Sequence, residues 1–458
     1  MMHLPTQIHW SANCILSPIG CRSAAPFFFF RHILTAIKTL EFFMDTTISS
    51  YGSLKISVIS LIGSYPIKNA IIRISPSNEP NAPKQEYETN TEGQLTIPEL
   101  PAPDEQFSEA PSAEQPYTDY NLEVSAPGYE TVEINNINVL PNTQSLQFIS
   151  LMPITDTRYS TAELFVIPAN TLFGDFPPKV YETETKPVSE TGEIVLSRVV
   201  VPEFVIVHDG PPSDRSANDY YVPYKDYIKN VASSEIYATW PEATLIANIL
   251  AIQSFTMNRV YTEWYRNKGY NFTITSSTAF DQKWVYNRNI YEPISLIVDG
   301  IFDQYLARPN VKQPILTQYC DGNRVSCPNW LSQWGSKYLG DQGYSASEII
   351  RYYYGDSMYI ATAEEISGIP ASWPGSDLSI GSSGSKVAQL QSQLNMISKA
   401  YPLVPKVAED GVYGSNTANA VRIFQSIFDL PQTGVTDFST WYKISEVFVG
   451  VSNIAELV

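Results

Sequence analysis

The chain has 458 residues, more than one hydrophobic core can serve, so about three domains are expected. Charged residues make up 17% and aromatics 12%, with 29 tyrosines, which excludes wholesale disorder. A formal net charge of -18 excludes nucleic acid as a partner, and any acidic partner must be held by stacking and hydrogen bonds rather than bulk attraction.

Residues 1–50 read as a leader outside the fold. The run PFFFFRHILTAIKTLEFFMD is apolar, but Arg31 and Lys38 interrupt it and no small-residue cleavage site follows. It is too broken for a membrane span, which takes about 20 apolar residues. An unusual export signal and an early start codon, with Met44 opening the ordered sequence, both fit. Cys14 and Cys21 lie here, with His3, His9 and His32. The body keeps His208 alone, so neither a metal site nor a cofactor is expected.

Residues 51–153 are expected to form a β-sandwich. LKISVIS alternates, IKNAIIRIS follows a turn at Pro66, and GQLTIPEL, YNLEVSAPGYE and LQFISLMP continue the pattern. Asn90-Thr91-Glu92-Gly93 is a turn, and the Pro-, Glu- and Ser-rich stretch from Pro101 to Pro116 a loop. The alternating strands, the T-x-x-G turn and Ala126–Glu130 together resemble the transthyretin-like sandwich of carboxypeptidase-regulatory modules, which implies a spacer or adhesion unit. Residues 154–200, with Pro177-Pro178 and little periodicity, read as a Pro-rich connector.

Residues 201–365 are expected to be a helix-rich α+β domain. IVLSRVVV and EFVIVHDG read as strands leading into it, and DYIKNVASSEI places Tyr227, Ile228 and Val231 at helical spacing. Trp240-Pro241 interrupts, and Pro241 suits the start of the next helix. That helix carries Leu245, Ile249, Ile252, Phe255, Val260 and Trp264 on one side and Ala243, Ala247 and Ala251 on another. A helix apolar on two sides belongs at the centre. YEPISLIVDGIFDQYLA and YSASEIIRYYYG read as further amphipathic helices. Residues 374–450 read as a small all-α module in which the helices SKVAQLQSQLNMIS and NTANAVRIFQSIFDL flank the loop AEDGVYG.

The C-terminal module resembles the three-helix peptidoglycan-binding domain. The matching residues are Gly381, Gly384, Val387, Leu390-Gln391, Leu394-Asn395, Asp410 to Gly414, Thr417, Ala420-Val421, Phe424-Gln425, Gly434-Val435 and Trp441. Asp410-Gly411 should set a tight turn, and Gly414 should allow close backbone approach ahead of Thr417. Val421 and Phe424 are expected in the core, whereas Tyr413 and Trp441 are the candidates for a sugar-facing surface.

The middle domain resembles the stage II sporulation protein D family and its amidase-enhancer relatives. Val222-Pro223, Asp226-Tyr227, Ser234-Glu235, Trp240-Pro241 and the Ala247/Ala251 stripe carry the likeness. So do Ser277-Thr278 with Asp281-Gln282, Ser332-Gln333-Trp334-Gly335, and GYSASEIIRYYYG, over about residues 201–360. The resemblance implies that Glu235 is the acid of a lytic transglycosylase, with Asp281, Gln282, Ser332 and Gln333 near the glycan. It also implies peptidoglycan, and in the enhancer relatives a cell-wall amidase, as partners, at a cell-wall, spore or extracellular location. Local physics permits the acid role. Glu235 continues the stripe of Tyr227 and Val231, so it should be half-buried, at the helix end where the dipole disfavours an anion. The competing reading is a helix-end glutamate bonded to a nearby backbone donor. The family's G-H-G-x-G step is missing, and Val325 to Leu331 stands in its place. Cys320 and Cys327 flank DGNRVS in this rebuilt region; a bridge and two free thiols both fit.

Overall fold

The computed structural model describes residues 50–154, 162–186, 198–367 and 373–452. The leader, with its cysteines and histidines, lies outside the described residues, as does the start of IVLSRVVV.

The architecture is multidomain: an all-β sandwich, a mixed helix-rich domain and an all-α module. The sandwich strands are β1 (Ser50–Ser60), β2 (Ile71–Pro76), β3 (Gln85–Glu88), β4 (Gln94–Ala102), β5 (Thr118–Ser125), β6 (Val132–Val139), β7 (Gln144–Leu151) and β8 (Glu163–Val166). One sheet runs β7-β1-β4 and the other β3-β2-β5-β6-β8. Period-two alternation buries Leu54, Ile56 and Val58 of β1 in one core with Ile72, Leu122, Val124 and Ile134. The turn at Gly93 requires glycine, since φ is 68° and a Cβ would meet the Val58 carbonyl oxygen at 2.4 Å. The first sheet gains its last strand from the next domain, where Ile290–Tyr291 pairs antiparallel with β7.

Two expectations give way here. The Pro101–Pro116 loop contains a one-turn helix, α1 (Gln106–Glu109), whose Ser108 carbonyl accepts the Trp240 indole N–H at 2.8 Å. The connector expected at 154–200 is, over residues 162–186, part of the folded body. β8 runs parallel to β6, and the stretch after it joins the middle domain, where Leu316 N–H donates to Glu184 O at 2.8 Å. Prolines removed the periodic signal, yet the stretch is anchored at single points, with Ile167, Asn170, Leu172 and Lys186 buried.

In the middle domain, Pro223 and Pro241 immediately precede α2 (Tyr224–Glu235) and α3 (Glu242–Tyr261). α3 is buried on nearly every side, as its two apolar stripes require. It packs against α2, α4 (Glu292–Ile301), α5 (Gln333–Asp341) and α6 (Ala346–Tyr354). The helix expected to reach Ala307 stops at Ile301, and Gln304–Ala307 pairs instead as a strand with Tyr359–Thr362.

The C-terminal module comprises α7 (Ser385–Ala400), α8 (Ser415–Ile427) and α9 (Phe438–Ser452). Its core is continuous with that of the middle domain, for Phe302 meets Phe438 and Tyr442 at ring distances of 5.4 and 5.3 Å. Charges bind the same interface: Lys225 pairs with Asp299 at 3.2 Å and with Glu446 of α9 at 2.8 Å, and Lys229 pairs with Asp299 at 2.8 Å. The sandwich also reaches the module, where Lys55 meets Asp429 at 2.7 Å. Among the described residues no helix is long and apolar enough to cross a membrane.

Candidate functional site

Glu235 closes α2 one turn beyond Val231, and the chain turns to an extended conformation at Ile236. The carboxylate was expected half-buried; it is 3% exposed. One oxygen accepts the Lys283 backbone N–H at 2.7 Å, and the other accepts the Tyr319 hydroxyl. Burial pushes the Glu235 pKa above the ordinary carboxylate range. The Lys179 ammonium, the Tyr319 hydroxyl and the Lys283 N–H oppose it without winning. The Gln333 amide donates to the Glu235 carbonyl oxygen at 3.1 Å and ties α5 to the end of α2.

Tyr319 is itself positioned. Its hydroxyl also receives the Gln282 amide at 3.2 Å, and Gln282 Oε1 accepts from Tyr227 at 3.0 Å and Thr256 at 2.8 Å. Lys179 lies over the Tyr319 and Phe255 rings at 4.8 and 5.0 Å, and it donates to the Asp281 carbonyl oxygen. Burial lowers the Lys179 pKa against the pull of Glu235 and Asp281.

These groups face a pocket of about 70 Å³, lined among others by Phe176, Lys179, Glu235, Tyr319, Asp321 and Arg324. Cys320 and Cys327 form a disulfide, with Cα atoms 5.7 Å apart. Within that loop the Asp321 carboxylate accepts the Arg324 and Val325 N–H groups at 2.7 and 2.9 Å. The Arg324 guanidinium reaches across to the Gly174 carbonyl oxygen. The disulfide-closed loop therefore forms one wall of the pocket, through Cys320, Asp321, Arg324 and Val325.

The residues expected near the glycan occupy different environments. Asp281 and Gln282 are fully buried and cannot touch a ligand. Asp281 accepts from Arg259 at 2.7 Å, Tyr265 at 2.6 Å, and Thr275 N–H and Oγ1 at 2.9 and 2.7 Å. Gln282 acts on Glu235 only through Tyr319. Gln333 lines the pocket, while Ser332 caps α5 by accepting the Gly335 N–H at 2.9 Å. Tyr319, Lys179, Arg259 and Arg324 were not expected as site residues, because none stands on an apolar stripe and their partners lie far away in the chain. Among the described residues no cluster of three or more His, Cys, Asp or Glu side chains is placed to hold a metal ion.

In the C-terminal module Tyr413 and Trp441, expected at a sugar-facing surface, are both fully buried. The Tyr413 hydroxyl is spent on Gly434 O at 3.0 Å and Thr436 at 3.1 Å. Asp410 sets the turn as expected, accepting Val412 N–H at 2.9 Å, and Gly411 adopts φ 69°. Gly414 does not serve a close approach: its φ is -94° and a Cβ would have nothing within 4 Å. Thr417 is buried and accepts the Gln391 amide at 3.2 Å. The loop offers Val412 and the adjacent Ile380 to solvent instead.

No curated protein matches the chain. Among solved structures it is similar to the TIE protein of Bacillus anthracis, with 19% identity over 23% of this chain and 17% of that one and a TM-score of 0.17. It is also similar to GBS52, the minor pilin of Streptococcus agalactiae (12% identity, 24% and 48% covered, TM-score 0.17). The group B streptococcus pilus 2b backbone protein shows 14% identity, 24% and 43% covered, and a TM-score of 0.17. The chain thus spans less than half the length of each of these structures. Residues 383–444 match the family model described as putative peptidoglycan binding domain, and the C-terminal module is such a domain.

Proposed function

We propose that this protein associates with the cell wall through residues 383–444 and cleaves peptidoglycan glycan as a lytic transglycosylase, with Glu235 as acid and then base. Sporulation or germination is the setting in which such an activity would serve. The observation that carries the reading is the buried Glu235 carboxyl, its pKa raised by burial, facing a pocket. The neutral acid gives its proton to the glycosidic oxygen as the C1–O bond breaks. The sugar's own 6-hydroxyl then attacks C1 and returns a proton to the carboxylate, closing an anhydro ring. No second carboxylate is required, in contrast to hydrolases.

The small pocket and the Arg324 contact across it favour a second reading, a non-catalytic wall binder that stimulates an N-acetylmuramoyl amidase or acts structurally. The test is to incubate the full-length protein with intact and peptide-stripped peptidoglycan and to analyse the products by mass spectrometry. Anhydro-ended products are expected, and Glu235→Gln should reduce them at least ~100-fold while wall binding persists. Absence of cleavage, with amidase stimulation by both proteins, establishes the second reading instead.

A further inference from the structure

A second pocket, of about 470 Å³ in its accessible interior, is lined by Val180 and Glu182 of the stretch that also supplies Lys179 to the first. Lys179 faces the Glu235 pocket, whereas Val180 and Glu182 face this one. Its walls include Trp264, Tyr270 and Phe280, with Lys186 and Lys268. The floor is rigid: Arg259 grips Glu182 and Asp281, and Tyr265 is bonded to Asp281. Lys186 also pairs with Glu182, so that carboxylate is already satisfied by two cations. Lys268 is different. Its ammonium rests on the Trp264 ring at 3.3 Å, and no carboxylate lies within ion-pair distance of it among the described residues. Arg259, Lys186 and Lys268 against Glu182 and Asp281 leave one positive charge in excess, in a chain whose net charge is -18.

We infer that this pocket binds an acidic sugar, a pyranose bearing a carboxylate, held by Lys268 with its apolar face against Tyr270 and Phe280. The volume falls in the range of small-ligand sites, roughly 300–1,000 Å³. Partly exposed aromatic rings beside an ammonium without a direct ion pair suit a ring with one apolar face and one anionic arm. The choice of sugar rests on the peptidoglycan-binding assignment; the pocket does not depend on Glu235.

The probe is N-acetylmuramic acid, titrated against the full-length protein by ligand-observed NMR, with N-acetylglucosamine as the neutral control. Saturable binding of the acidic sugar alone is expected. Lys268→Gln and Tyr270→Ala should each weaken it about 10-fold or more, with Lys268→Arg restoring it. Glu235→Gln should bind the probe normally, so failure here and failure of the transglycosylase reading are distinguishable. Equal binding of both sugars overturns the inference, as does indifference to Lys268→Gln, no binding at all, or capture of D-alanyl-D-alanine in place of the sugar.

Discussion

Glu235 shows how burial and a neighbouring charge contend for one proton. Burial favours the neutral acid, and the Lys179 ammonium favours the anion. Removing that ammonium in Lys179→Met should therefore raise the Glu235 pKa further. In the proposed transglycosylase reaction the first step needs the protonated acid, so the alkaline limb of any glycan cleavage should move to higher pH by about one unit or more. A limb that stays in place would show that Lys179 does not act on Glu235. Glu182 presents the opposite sign. Burial alone would raise it, but Arg259 and Lys186 hold its pKa at about 2. Its contribution to stability is present above the unfolded value of about 4.3 and is lost as pH falls toward 2. Glu182→Gln should thus cost about 3 kcal/mol at pH 7, with the gap to the unsubstituted protein closing near pH 2 in denaturant titrations.

At the scale of elements, the loop closed by Cys320 and Cys327 is the part least determined by periodicity. Its conformation rests on the disulfide, on the Asp321 bonds to Arg324 and Val325, and on the reach of Arg324 to Gly174. Closing so short a loop restricts the unfolded chain by about 2–3 kcal/mol. Reduction, or Cys327→Ser, should lower stability by that amount and speed backbone hydrogen exchange from Asp321 to Val325. Unchanged exchange in that loop would assign its order to the other bonds. Helices were more legible. α2 and α3 follow the apolar stripes and the prolines before them, whereas α4 ended early because Gln304–Ala307 found a strand partner some fifty residues later. β6 gave no strand signal: Asn135 and Asn136 interrupt its alternation, and a register irregularity in its pairing with β5 accommodates them, with Asn136 at φ 65°.

Over the whole molecule, the binding module is joined to the body rather than tethered beside it. The middle domain and the module share one apolar core, and the Lys225, Lys229, Asp299 and Glu446 group would be left with broken pairs if they parted. Calorimetry of the full-length protein should show these two parts unfolding in a single transition. Two well-separated transitions, with the module melting by itself, would contradict a shared core.

Local signals were enough for the sequence by itself to determine the alternating sandwich strands, the central two-striped helix, the helix ending at Glu235 and the peptidoglycan-binding module. Each depends on spacing within a few turns or on a glycine in a tight turn, and such patterns are written in consecutive residues. Tertiary structure alone decided the rest. It buried Tyr413 and Trp441, made residues 162–186 part of the body, chose the disulfide, and brought Lys179 and Tyr319 to Glu235. The physical reason is separation along the chain: Tyr319 lies 84 residues from Glu235, and only packing of the intervening helices sets that distance and the burial that raises the carboxyl's pKa.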